Sequence, residues 1–231
     1  MKTVGIVGGI GPESTIEYYR LIVSGYRERT QDGSYPPIII NSINMTKMLE
    51  MIGANELSEV TDYLVGEVQK LEKASAEVAV LAANTPHVVF DEIQRRSPIP
   101  LISIVEATCE VAKALGLKKL GLFGTRFTMQ GRFFPDVFSR ENIRLVVPQG
   151  DEQTYIHDKY MGELVKGILL PETRERLLKI VDRMKDQEGI QGLILGGTEL
   201  PPILRDVSDR HIPFLDTTRI HVDSIVTQLL S

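Results

Sequence analysis

Thiol chemistry is almost absent from this chain, since one of its 231 residues is a cysteine, Cys109. A single cysteine excludes an intrachain disulfide and any mechanism that needs two thiols of one chain. Cys109 lies in Glu106-Ala107-Thr108-Cys109-Glu110-Val111-Ala112, a stretch of helical pattern, and there it reads as a small buried apolar residue. No apolar run approaches membrane-spanning length, so no membrane partner is expected. Met1-Lys2-Thr3 leads straight into the strand-like Val4-Gly5-Ile6-Val7 with no separate apolar segment before it, and the expected location is the cytoplasm. Positive charge is not in excess either. Lys and Arg number 26 against 31 Asp and Glu, for a net charge of −5, and they are scattered, so no nucleic acid partner is expected. An acidic small molecule would need a local basic site. The histidines, His87, His157, His211 and His221, lack the close spacing of a metal site, and no metal is expected. No low-complexity or linker-like segment interrupts the chain.

What is present is a βαβ rhythm. Strand-length apolar runs at Val4 to Val7, Ile38 to Ile43 and Val78 to Leu81 alternate with amphipathic stretches from about Pro12 to Arg29 and Leu57 to Ala74. This predicts an α/β fold with mostly parallel sheets flanked by helices, the strands buried on both faces. A second set of strands follows at Leu120 to Phe123, Arg144 to Val147, Leu193 to Leu195 and Pro213 to Leu215. Landmarks repeat at nearly constant offset: Gly8-Gly9 with Gly124-Thr125, Ala83 with Gly197, and Ile99-Pro100-Leu101 with Ile212-Pro213-Phe214. The chain therefore reads as two similar, pseudo-twofold lobes, residues 1–100 plus 220–231 and residues 101–219, with a site in the cleft between them at the carboxyl ends of the strands.

Three segments could carry chemistry. Gly8-Gly9-Ile10-Gly11-Pro12-Glu13-Ser14-Thr15 follows the first strand, and its glycines and Pro12 prepare a helix start that would attract an anion at Gly9 and Ile10. The spacing does not make the dinucleotide pattern Gly-x-Gly-x-x-Gly, and no acidic residue follows the second strand to hold a ribose. Close helix-on-strand packing is the bland reading of the same glycines. Ala82-Ala83-Asn84-Thr85-Pro86-His87 and Leu195-Gly196-Gly197-Thr198-Glu199-Leu200 close matching strands of the two halves. Asn84, Thr85, Thr198 and Glu199 suit an α-carboxylate and ammonium, with Thr125 a further contributor. Taken singly, Asn84, Thr85 and Thr198 could serve only as helix N-caps.

These segments, with Tyr18-Tyr19-Arg20, Leu122-Phe123-Gly124-Thr125, Glu163-Leu164-Val165-Lys166-Gly167 and Phe214-Leu215-Asp216-Thr217, resemble the aspartate/glutamate racemase family over nearly the whole chain. The resemblance implies cofactor-free racemisation of an acidic amino acid, with one group removing the α-proton from one face and a second protonating the other. It also implies a homodimer, and it casts Lys47 and Lys166 as lid residues that hold the side-chain carboxylate, although both could equally be plain solvated lysines. The family's acid/base positions, usually Cys or Thr before Asn-Thr and Cys before Thr-Glu, are here Ala83 and Gly197, neither of which can carry a proton. Glu199 and His87 are the proton carriers beside those positions. Three readings follow: a family member that binds an acidic amino acid or small dicarboxylate, a non-catalytic carboxylate-binding protein, or an isomerase or lyase using Glu199 or His87.

Overall fold

Short apolar runs, each followed by a helix, leave the chain one economical arrangement: parallel strands joined by helical crossovers. The computed structural model describes residues 2–205 and 211–231 and divides into two compact units, Met1–Ala107 with His221–Ser231, and Thr108–Ile220. The first unit runs β1 (Val4–Gly8), α1 (Pro12–Thr30), β2 (Ile38–Ser42), α2 (Met45–Gly53), α3 (Leu57–Lys73), β3 (Val78–Leu81), a 3-10 turn (Thr85–Val89), α4 (Phe90–Arg96), β4 (Leu101–Ile102) and the start of α5 (Ile104–Ala114). The second runs β5 (Lys119–Gly124), α6 (Arg126–Gln130), α7 (Phe133–Arg140), β6 (Arg144–Val146), α8 (Gly150–Gly162), α9 (Pro171–Arg183), β7 (Gly192–Gly196), α10 (Leu200–Ile203), β8 (Phe214–Asp216) and the start of α11 (Thr217–Leu230).

Each unit holds one four-stranded parallel sheet, ordered β2-β1-β3-β4 in the first and β6-β5-β7-β8 in the second. The two orders are the same topology, so the repeat read from the sequence is a repeat of architecture. Burial departs from the sequence reading in one respect. The central strands β1, β3 and β7 are buried throughout, but β2 is only partly buried, with Ile40 42% exposed, and β6 likewise. Both are edge strands, covered on one side of the sheet order only, and an apolar run by itself does not distinguish an edge from a centre.

In the first unit Val4 and Ile6 of β1 and Val78 and Val80 of β3 pack against Tyr18, Ile22 and Tyr26 of α1 and against Val222, Ile225, Val226 and Leu229 of α11. Cys109 is buried on α5. In the second unit Leu193 and Leu195 of β7 pack with Phe123, with Ile156 and Tyr160 of α8, and with Leu177 and Val181 of α9. The start of α8 is tied down firmly. Gln149 and Glu152 form a capping box, and Arg183 of α9 grips both carboxylate oxygens of Glu152, at 2.7 and 2.5 Å. That anchor holds the helix on which Tyr160 is carried.

Candidate functional site

Adjacent parallel strands end on the same edge of a sheet, so their following loops lie side by side. In the first unit this juxtaposes Gly9 and Ile10, after β1, with Ala83, Asn84 and Thr85, after β3; Ala82 N–H still donates to Val7 O at 3.0 Å. In the second unit, where Gly124 pairs with Gly196, it juxtaposes Thr125 with Gly197, Thr198 and Glu199. Each set of loops is thus brought side by side within its own unit.

The glycine-rich turn is built tightly. Gly9 has φ +77°, and a Cβ there would meet Ile43 O at 2.3 Å, so only glycine fits. Its N–H donates to Thr15 Oγ1 at 2.8 Å, so this amide is already engaged within the turn and is not one of the donors left at the start of α1. The bland packing role is therefore satisfied at Gly9 itself, while Ile10 is buried.

The capping alternative resolves residue by residue. Thr125 is a helix N-cap whose hydroxyl accepts from Thr128 N–H at 3.3 Å. Asn84 precedes the 3-10 turn without a side-chain cap bond, and the N-cap of α10 is Glu199, also without one. Thr198 instead donates its hydroxyl to Glu199 Oε2 at 2.7 Å. Capping accounts for Thr125 and not for the polar groups that follow β3 and β7.

His87 lies one turn beyond Ala83, wholly buried against Phe90, whose ring stacks on it at 4.9 Å. Ile104 N–H donates to its Nε2 at 3.2 Å, so the proton sits on Nδ1 and is donated to Ala83 O at 3.0 Å. Neighbouring His221 is fixed the same way: Nε2–H donates to Ile102 O at 2.9 Å, and Nδ1 accepts from the Tyr18 hydroxyl at 2.8 Å. Burial, then the nearness of His221, pushes His87 down to about 3, and burial pushes His221 down to about 4. Both rings are neutral, and His87 has no nitrogen left to exchange a proton with a ligand. What it does is hold the backbone at Ala83.

Gly197 is different in kind. It reads in the sequence as a bare spot, yet the volume is occupied: a Cβ at 197 would lie 2.5 Å from the Tyr160 hydroxyl oxygen and 2.6 Å from Cε2. The Tyr160 phenol, 7% exposed, donates to Glu199 Oε2, the same oxygen that Thr198 reaches. Burial first, and then the Glu199 charge, pushes the Tyr160 pKa well above its usual value, so the ring stays a neutral donor. Tyr160 is the residue that sequence reasoning missed. The one available signal was a hydroxyl on the apolar stripe of α8, one turn after Ile156, since a buried phenol needs a partner.

Lys47 and Lys166 are exposed. Lys47, on α2, holds its ammonium 4.6 Å from the centroid of the Tyr63 ring, and Lys166 ends the 3-10 turn Leu164–Lys166 just before Gly167. Among the described residues no group of three or more His, Cys, Asp or Glu could hold a metal ion, and no helix is long and apolar enough to cross a membrane.

Comparison with known proteins adds a second line of argument to this geometry. The chain is 23% identical over 238 residues to the broad specificity amino-acid racemase RacX of Bacillus subtilis, covering 99% of this chain and 98% of that protein. It superposes on a crystal structure of an aspartate racemase homologue from Pyrococcus horikoshii with a TM-score of 0.88 and 33% identity, covering 100% of both chains. The aspartate racemase of Picrophilus torridus shares the fold, with a TM-score of 0.76 and 22% identity over 99% of this chain and 94% of that one. A family model for Asp/Glu/Hydantoin racemase matches residues 7–225, and this chain belongs to that family.

Proposed function

We propose that this protein, with lobes formed by residues 1–100 with 220–231 and residues 101–219, binds an acidic amino acid or small dicarboxylate and does not racemise it by two-sided proton transfer. Asn84, Thr85, Thr125 and Thr198 serve as polar contacts, and Lys47 and Lys166 hold the side-chain carboxylate. The ligand class rests on family membership and on the amino-acid racemase named among the relatives. The observation that carries the second half is the pair Ala83 and Gly197. A methyl group and a hydrogen atom can neither accept an α-proton nor return one, and geometry and proton affinity must both be met on both faces for inversion. His87 cannot substitute beside Ala83, because its two nitrogens are already committed. The same reading makes the protein a cytoplasmic homodimer that needs no cofactor, with the exposed apolar side chains of Met161, Val165, Ile168 and Leu169 the first place to seek the interface.

Two measurements test this. Incubated with L- or D-aspartate or glutamate in deuterated water, the protein should produce no opposite enantiomer and no deuterium at the α-position. At saturating concentration one of these ligands should still raise the thermal midpoint, because a ligand that binds only the folded state stabilises it. Enzyme-dependent inversion of either amino acid would refute the reading.

A further inference from the structure

Helix α6 is too short to hold itself in place. With 5 residues, Arg126–Gln130, it lies far below the length at which a helix persists unaided, so where it starts is decided by what it packs against. That start fixes Thr125. The Thr125 side chain is the N-cap, its hydroxyl accepting from Thr128 N–H, and its direction therefore follows the helix.

What holds α6 is α8. Arg126 N–H, one of the amides that a helix start leaves without an intrahelical acceptor, donates to Nδ1 of His157, 31 positions along the chain, at 3.2 Å. At the other end of α6, Gln130 Nε2 donates to Gln153 Oε1 at 3.1 Å, and Gln153 is fixed in turn by donating to Pro148 O at 2.8 Å. Between these two bonds Met129 is buried in the same apolar cluster as Ile156. Residues 153, 157 and 160 recur at the spacing of one helical face, and the third is Tyr160, which donates to Glu199 in the loop after β7. One face of α8 thus reaches the loops after both β5 and β7.

We infer that His157 is a positioning residue for ligand binding: by accepting the Arg126 amide it sets the start of α6, and with it the Thr125 hydroxyl, while touching no ligand itself. This rests on the acidic-ligand reading given above, in which Thr125 is a polar contact, and deepens it. The bonds at Arg126 and Gln130 are exposed, so water can replace either partner and each stabilises the fold only slightly. Their effect is on geometry. A loop held in its binding conformation beforehand spares the ligand the cost of ordering it.

Two variants separate positioning from mere packing. His157→Leu keeps the bulk and removes the acceptor, whereas His157→Asn returns an acceptor oxygen near the place of Nδ1. Calorimetric titration with both enantiomers of aspartate and glutamate, and with succinate and glutarate, identifies the tightest of these ligands, and that one is carried through. His157→Leu should bind it about fivefold more weakly, the size of one neutral hydrogen bond, with little change in the thermal midpoint of the ligand-free protein. His157→Asn should recover most of the affinity. Amide hydrogen exchange over Arg126–Gln130 should be several-fold faster in the Leu variant and slow again in the Asn variant. Wild-type affinity in His157→Leu, or an Asn variant that binds no better than the Leu one, would overturn the positioning role while sparing the acidic-ligand reading. Should the wild type bind none of the six ligands, that reading falls, and exchange alone then decides whether His157 holds the loop: unchanged rates over 126–130 in the Leu variant would overturn this as well.

Discussion

Acidifying the protein from pH 7 to pH 5 should remove about 4 kcal/mol of stability from the first unit. The cause is the buried pair His87 and His221, whose folded pKa values of about 3 and about 4 lie below the value near 6.5 of an unfolded histidine. A group with a depressed folded pKa is protonated first in the unfolded state. Its contribution is therefore fully present above about pH 6.5 and is lost as the pH falls towards the folded values. At pH 5 each histidine has lost roughly 2 kcal/mol by this linkage. Protonation would also break specific contacts, since His87 Nε2 accepts from Ile104 N–H and His221 Nδ1 accepts from Tyr18. Hydrogen exchange at pH 7 and pH 5, corrected for the intrinsic rate, should show protection falling in β1, β3 and α1 more than in β5 and β7. Removing one of the two sites with His221→Gln should roughly halve the dependence between pH 6.5 and 5. An undiminished slope in that variant, or equal loss in both units, would assign the acid sensitivity to other groups.

The histidine pair shows where the sequence stops being readable. The fold was legible because β1, β3 and β7 are continuous apolar runs followed by helix starts, and because both halves carry the same landmarks in the same order. Those are local patterns. His87 and His221 are brought together by α11 packing onto the first sheet, and nothing near either residue in the chain announces the other. The edge character of β2 was hidden for a related reason: Ile38, Ile39 and Ile40 look like a central strand until the strand order is known. The loops after β3 and β7 could be located from their small and hydroxyl-bearing residues. Whether those residues only cap helices was decided by geometry, which gave different answers for Thr125 and for Thr198. Tyr160 lies on a different helix from the loop it fills, so the sequence alone presents Gly197 as empty.

That filled volume determines what happens when a thiol is placed at residue 197. Gly197→Cys alone should be strongly destabilising, by about 3 kcal/mol, the upper part of the usual range for an overpacked core. The new Cβ would stand 2.5 Å from the phenol oxygen and 2.8 Å from Cζ, so the whole ring must be displaced, not merely the end of a flexible chain. Displacing it exposes a ring that packs in the core of the second unit and breaks its bond to Glu199. Tyr160→Ala alone should also cost about 3 kcal/mol or more, as truncations of buried aromatic rings do. The two changes relieve one another. The double variant should be more stable than the sum of the single losses by roughly 2 kcal/mol, a coupling that urea denaturation of all four proteins would measure directly. Additive losses would mean that Tyr160 does not occupy the place of a residue-197 side chain. The same coupling orders any attempt to install two-sided proton transfer. Ala83→Cys with Gly197→Cys should give no measurable racemisation of aspartate or glutamate, because the sulfur at 197 has no room. Adding Tyr160→Ala to that pair should make activity appear, since only then can a thiol occupy the position after β7.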